Sequence, residues 1–327
     1  MIFDIIIILI TTYTIWYASE ILSKGTAEIG NRYNISSSVK GATLDAVGSS
    51  FPEFCTVAFS LIAGSFEAGI GAITGSALFN ILIIPSLCVI VTKDMKISKE
   101  VVNRDGLIYI IAVVLLISSV VFSSVSPDNS DLHFIPAWAG ISGIILYIGY
   151  VMLLYTQSKV SINNRTIDEK QKNDKISLVY IIFYFLLGMI GIAVSVHFLV
   201  DASLHLFDYL GFSKTIAGVT VLAAATSLPD TFLSMISAKK GESDAALSNA
   251  LGSNTFDILI CLGVPIFWVG GLYIDWAASA NILFYLLGTS VISMMLLRCN
   301  WMLSKLKSKI MLTIYITFLL LIFTKMI

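Results

Sequence analysis

Three carboxylates sit where charge is least welcome. Glu53, Asp230 and Asp257 each fall within a long apolar run. A charge at the centre of a bilayer costs roughly 2.5 kcal/mol or more, so such residues face a cavity and have partners. Lys or Arg would be the natural partners, and no Lys or Arg lies inside these runs. The compensating charge must come from bound metal ions or protons. Oxygen surrounds each carboxylate. Ser49, Ser50 and Glu53 lie at spacings of three and four, and so share one helical face; Thr226, Ser227 and Asp230 repeat the pattern. Ser76 and Asn80 are four apart, as are Ser253 and Asp257. Pro52 and Pro229 clash with the carbonyls four residues back, those of Gly48 and Ala225. Backbone oxygen freed at membrane depth must be satisfied by protein, water or ion. No His or Cys falls in either motif, 41–53 with 75–82 or 218–230 with 252–259. Hard oxygen ligands suit Ca²⁺, Na⁺ or K⁺ and argue against zinc or copper. Three carboxylates could neutralise one Ca²⁺ or a few monovalent ions, but not two divalent ions without strong repulsion.

These residues belong to one stretch that occurs twice. Gly41 to Leu82 aligns with Gly218 to Leu259 without a gap, at a constant offset of 177 (218 − 41). The offset pairs Thr43 with Thr220, Ala46 with Ala223, Ser50 with Ser227, Pro52 with Pro229, Gly75 with Gly252, Ser76 with Ser253 and Phe79 with Phe256. Glu53 falls on Asp230, and Asn80 on Asp257.

The elements that carry the stretch are membrane helices. The chain has 327 residues, is 57% hydrophobic and only 13% charged, and has a mean hydropathy of +0.90. A soluble domain is about a quarter charged. The reading is an all-α multi-span membrane protein of ten transmembrane helices arranged as two inverted five-helix repeats. The spans are expected at about 1–22, 37–64, 67–92, 105–125, 133–156, 176–207, 213–238, 244–268, 277–297 and 309–326. The first half is 1–157 with its repeat at about 41–85, the polar linker is 158–175, and the second half is 176–327 with its repeat at about 218–262. With both termini outside and the linker cytoplasmic, every Lys and Arg except Lys214 and Lys325 lies on the cytoplasmic side of the cell membrane. Five spans per half is odd, so the second copy enters in the opposite sense. Transporters of this design bind substrate at the midplane between the halves. The first segment lacks a basic flank and a cleavage site and reads as a true span.

Other residues have blander readings. Cys55, Cys88, Cys261 and Cys299 show no metal or redox spacing and read as apolar fillers. Gly64, Gly69, Gly71, Gly75, Gly241 and Gly252 read as close-packing positions. Glu67 and Asp244, another repeat pair, read as helix caps. His197 is expected to find a hydroxyl or carbonyl. Asp45 stands eight residues before Glu53, opposite Leu222, and reads either as an ion-passage carboxylate or as a hydrated helix-end acid. The basic loops set topology and are not nucleic-acid patches.

Gly48-Ser49-Ser50-Phe51-Pro52-Glu53 with Gly75-Ser76-Ala77-Leu78-Phe79-Asn80, and Ala225-Thr226-Ser227-Leu228-Pro229-Asp230 with Gly252-Ser253-Asn254-Thr255-Phe256-Asp257, resemble the α-repeats of the cation/Ca²⁺ exchanger superfamily. The likeness is to the Na⁺/Ca²⁺ exchangers, and the five-plus-five layout extends it to the whole chain. It implies exchange of Ca²⁺ for several Na⁺ by alternating access, with no enzymatic chemistry and no cofactor. It implies Glu53 and Asp230 as Ca²⁺ ligands, with Asn80 and Asp257 as further ligands. Ala46, Ser49, Ser50, Ser76, Ala223, Thr226, Ser227 and Ser253 would supply oxygens to Na⁺. The wording around Gly41-Ala42-Thr43-Leu44 and Ser227-Leu228-Pro229-Asp230 is similar to the K⁺-dependent branch. Members that ignore K⁺ tend to carry Glu at position 230; Asp is one methylene shorter and leaves room for K⁺ beside Ca²⁺. The alternatives are a Ca²⁺/H⁺ antiporter, which would hold protons on the same carboxylates, and a K⁺-independent Na⁺/Ca²⁺ exchanger. Asp230 and Asp257 could also form an aspartyl protease dyad, but the Gly-x-Gly-Asp context is absent and Glu53 would be unexplained.

Overall fold

Hydrocarbon offers no partner to an open N–H or C=O, so apolar runs of this length must bond internally, as helices. In the computed structural model, which describes residues 1–32, 41–126, 131–162 and 177–324, they do. The helices are α1 (Ile2–Arg32), α2 (Ala46–Ile62), α3 (Phe66–Thr92), α4 (Lys99–Val121), α5 (Ala137–Ile162), α6 (Leu178–Tyr209), α7 (Lys214–Thr226), α8 (Leu228–Lys239), α9 (Ser243–Trp268), α10 (Trp276–Arg298) and α11 (Lys305–Phe323). Helices α7 and α8 form one span bent by 43°. Eight of the others are long and apolar enough to cross a membrane. Helix α2 has 17 residues and is prolonged at its start by a π-wound turn, Gly41–Asp45. At about 1.5 Å per residue, turn and helix together reach across a hydrocarbon core of about 30 Å. The described residues thus make ten helical crossings, five on each side of the linker. The expected linker itself, 158–175, lies mostly outside the described residues.

Boundaries differ from expectation where polar residues continue a helix. Helix α1 runs on past residue 22 to Arg32, and Glu20 and Lys24 pair across one turn at 2.9 Å. Helix α4 starts at Lys99, so Arg104 lies inside a helix and not in a loop. Hydropathy also passed over short strands at the two ends of the bundle. At one end β2 (Ser124–Val125), β3 (Leu132–Pro136) and β4 (Gly271–Asp275) form an antiparallel sheet; at the other β1 (Met95–Lys96) pairs β5 (Met302–Leu303). Residues 133–136, expected to open the fifth span, are therefore strand. These ladders tie the hinge between α4 and α5 to the approach to α10, and the α3–α4 turn to the approach to α11.

Helices α3 and α9 run through the middle and are buried along most of their length, whereas α1, α6 and α11 turn much of their apolar surface outward. Helix α1 lies along α6, linked by Thr14 Oγ1 donating to Ser195 Oγ at 2.8 Å and by His205 Nδ1 at 3.1 Å from Asp4 Oδ1. Helix α3 approaches α7 so closely that a Cβ on Gly75 would lie 2.4 Å from the Val219 carbonyl oxygen. Not all the glycines named from sequence do this. Gly64 and Gly241 end their helices with φ of +62° and +83° and have open space beside them, and Gly252 has no neighbour within 4 Å of an added Cβ. The first two are left-handed turns, where a missing Cβ matters for backbone conformation and not for packing.

Candidate cation site

Helices α2 and α8 bring Glu53 and Asp230 to the centre from opposite ends, and α3 and α9 bring Asn80 and Asp257 alongside. Two of the three π-wound segments, Gly41–Asp45 and Gly218–Leu222, are repeat mates at the 177 offset. The third, Asp257–Leu262, begins on the Asp257 carboxylate and has no counterpart in α3, which is regular there. Segments of this kind concentrate at functional sites because they displace backbone from the regular ladder. The prolines act differently in the two copies. Pro52 sits inside an unbroken α2, while Pro229 occupies the first turn of α8, just after the break at Ser227. At a first turn the missing N–H has no partner to lose. The start of the α7 span is gripped by α3 at Gly75, so the remainder bends at Ser227.

Every predicted site residue is buried. Glu53, Ser50, Asn80, Ser76, Thr226, Ser227, Asp230, Asp257 and Ala223 are completely enclosed, and Ser49, Ser253 and Ala46 nearly so. Asp230 Oδ1 accepts from Ser253 Oγ at 2.8 Å, and its Oδ2 accepts from Asn80 Nδ2 at 3.4 Å. Ser76 Oγ is central: it receives Ser227 Oγ at 2.9 Å and Asn80 Nδ2 at 3.5 Å, and donates to Asp257 Oδ2 at 3.5 Å. Hydroxyls of both repeats thus meet in one network. Ser49 and Thr226 instead donate their hydroxyls to carbonyls of the preceding turn, those of Asp45 and Leu222. Ala46 and Ala223 can contribute only backbone oxygen.

Several acceptors in this network are left open. Both carboxylate oxygens of Glu53, Oδ1 of Asn80 and Oγ of Ser50 are buried without a hydrogen-bond partner. Among the described residues no Lys, Arg or His comes within ion-pair distance of Glu53, Asp230 or Asp257. An unpaired buried acceptor costs about 1–3 kcal/mol, and more if charged. The donor set therefore calls for cations brought from outside. Among the described residues no three His, Cys, Asp or Glu side chains converge tightly enough to hold an ion by themselves. A cation here must take part of its shell from the amide, hydroxyls and carbonyls between the carboxylates.

Some neighbours were not read from the sequence. Cys261 places its Sγ 3.7 Å from the Ser50 carbonyl and 3.7 Å from Asp257 Oδ1, where an apolar filler was expected. It stands four residues after Asp257, the same-face spacing of Ser253 and Asp257, and that spacing was the available signal. Asn249 Nδ2 donates to the Asp230 carbonyl at 3.3 Å and to Ser234 Oγ at 2.9 Å. Its position on the Ser253 side of α9, four residues earlier, was the available signal. Asp45 ends the first π-wound turn, half-buried. Glu67 and Asp244 lie in the first turns of α3 and α9, where an acid favours the helix N-terminus, and Asp244 Oδ1 also accepts from the Ser98 amide at 2.7 Å, tying α9 to the start of α4. His197 is half-exposed and lies 3.6 Å from Asp201, a carboxylate one turn away, and not beside a hydroxyl or carbonyl.

Comparison with known proteins agrees with this architecture. The chain is 23% identical to the sodium/calcium exchanger MaX1 of Methanosarcina acetivorans, over 93% of its own length and 94% of the relative's. It is 34% identical to the sodium/potassium/calcium exchanger 1 of Gallus gallus over a shorter region, 43% of this chain and 22% of that one. Its fold superposes on the crystal structure of an H⁺/Ca²⁺ exchanger, CAX, with a TM-score of 0.73 and 15% identity, covering 97% of this chain and 82% of the other. The sequence profile described as sodium/calcium exchanger protein matches residues 3–156 and 180–324. A repeated, oxygen-lined site with no internal counter-charge is what such an antiporter needs, and the chain belongs to the sodium/calcium exchanger family.

Proposed function

We propose that this antiporter exchanges Na⁺ for Ca²⁺, carrying K⁺ with Ca²⁺, at the site between α2, α3, α8 and α9. One observation carries the reading: Glu53 holds two buried carboxylate oxygens with no partner, in a site with no internal cation. Ca²⁺ takes oxygen from Glu53 and Asp230, completed by Asn80 and Asp257. Na⁺ takes oxygen from Ser49, Ser50, Ser76, Thr226, Ser227, Ser253 and the backbone of Ala46 and Ala223. The hydroxyls favour Na⁺ over H⁺ as the counter-ion, because a proton on a carboxylate needs no hydroxyl cage. The short Asp230 and the charge of Asp257 support K⁺, as does the likeness to a sodium/potassium/calcium exchanger. The halves 1–157 and 176–327, joined by 158–175, rock against each other across the site. In the cell membrane both termini face out and the linker faces the cytoplasm, as the Lys and Arg distribution indicates.

The test is ⁴⁵Ca²⁺ uptake into proteoliposomes with Na⁺, K⁺ and pH varied separately. Uptake driven by an outward Na⁺ gradient and raised by K⁺ is expected. Uptake driven by a pH gradient without Na⁺ would make the protein a Ca²⁺/H⁺ antiporter. Indifference to K⁺ would remove K⁺ alone from the reading.

A further inference from the structure

A second buried carboxylate centre lies one helix away from the cation site. Asp105 on α4 is enclosed, with a side chain showing no exposed surface. Its Oδ1 receives Arg104 Nε at 2.6 Å and Tyr150 OH of α5 at 3.1 Å. Its Oδ2 receives Arg104 Nη2 at 3.0 Å and Ser248 Oγ of α9 at 2.6 Å. Unlike Glu53, this carboxylate is neutralised from within the protein, so it has no call for a transported ion. What it holds is a helix. Ser248 is the neighbour of Asn249, which bonds the Asp230 carbonyl, and lies on the same helix as Ser253 and Asp257. At about 1.5 Å per residue, Ser248 is about 7 Å along the axis from Ser253 and about 13 Å from Asp257. Asp105 is therefore too distant to touch a bound cation and close enough to set the height and rotation of the helix that presents its ligands. A hydrogen bond to a charged acceptor is short and directional, about twice as strong as a neutral one, and it adds to the neutral ties of α9, such as Asn254 Nδ2 on the Ala77 carbonyl at 3.1 Å, a charged one that fixes its register beside α4.

We propose that Asp105, held by Arg104, is a positioning residue that locks α9 through Ser248 and so sets the cation affinity of Asp230 and Asp257. The proposal rests on the exchange reading of that site. Asp105→Asn removes the buried charge that faces the half-buried Arg104 and could fail to fold, so Ser248→Ala is the primary variant, since it removes only the bond to α9. Groups that orient metal ligands typically affect affinity by about tenfold or more. The expected result is a Ca²⁺ half-saturation raised about tenfold with maximal rate retained, and Ser248→Thr at wild-type values. Amide hydrogen exchange across 249–257 is expected to quicken in Ser248→Ala. An unchanged half-saturation in Ser248→Ala beside an active wild type overturns the proposal while leaving the exchange reading intact. A wild type that exchanges no Ca²⁺ defeats the exchange reading. Positioning is then decided by hydrogen exchange alone, and unchanged protection across 249–257 overturns it.

Discussion

Replacing Glu53 with Gln is the sharpest test of the site. The substitution keeps the shape and removes one charge. Neither Glu53 oxygen has a hydrogen-bond partner in the protein, so no internal bond is lost and the fold is expected to survive. What is lost is the attraction for a cation in a site with no exposed surface at this residue. Removing one member of a buried charge pair costs about 3–5 kcal/mol. At about 1.4 kcal/mol per decade this is a rise in Ca²⁺ half-saturation of roughly 10² to 4 × 10³. In practice exchange falls below detection at micromolar Ca²⁺. The assay is Na⁺-driven ⁴⁵Ca²⁺ uptake, with size-exclusion profile and amide hydrogen exchange as controls for folding. Glu53→Asp, which keeps the charge but draws it back by one methylene, should retain measurable exchange at higher Ca²⁺. A Glu53→Gln protein that transports with a half-saturation within about threefold of wild type would refute the argument, because a loss of under about 0.7 kcal/mol is not that of a buried charge pair.

Other substitutions probe the same geometry. Asp257→Asn should abolish stimulation by K⁺ while leaving some Na⁺/Ca²⁺ exchange, read from K⁺ titrations of uptake. Ser76→Ala removes the hydroxyl that joins Ser227, Asn80 and Asp257; at about 0.5–1.5 kcal/mol for a hydrogen bond, Na⁺ half-saturation should rise about two- to tenfold. Gly75→Ala sets a methyl 2.4 Å from the Val219 oxygen and 2.7 Å from Ala223 Cβ, and backbone cannot yield cheaply; a destabilisation of about 1–3 kcal/mol and loss of transport are expected in thermal unfolding and flux. Gly252→Ala, at the repeat-related position inside a helix, meets nothing within 4 Å and should stabilise the protein by about 0.4–1 kcal/mol.

The carboxylates, hydroxyls and ten crossings were legible because each rests on a strong constraint. Charge inside hydrocarbon is rare, a gap-free repeat restricts the topology, and membrane helices have a required length. Less legible was whatever depends on helical winding or on contact between distant spans. The π-wound turn over Asp257–Leu262 leaves no mark in hydropathy, since one extra residue per turn has no compositional signature. Arg104 reads as an ordinary cytoplasmic positive charge in sequence, and only the meeting of α4, α5 and α9 turns it into the partner of a buried Asp105. Repeat symmetry likewise predicts equal roles for Gly75 and Gly252, which the fold makes unequal.

That inequality bears on mechanism. If both halves held the same arrangement, Gly252 would press against the first π-wound turn as Gly75 presses against the second. Gly75 instead meets the Val219 backbone while Gly252 has room for a methyl. Helix α2 continues unbroken past Pro52, while its mate is broken at Ser227 and bent by 43°. One sequence unit thus occupies two shapes within a single chain. The residues that line the site, Ser50 with Ser227, Pro52 with Pro229 and Ser76 with Ser253, are shared by the two shapes. Gly75 lies in the part of α3 nearer the three-stranded sheet, so that end is the one drawn tight. Exchanging the two shapes between the halves would loosen that seam and tighten the one beside Gly252. Alternating access by such an exchange would break the contact of Gly75 with Val219 and form its repeat-related counterpart at Gly252.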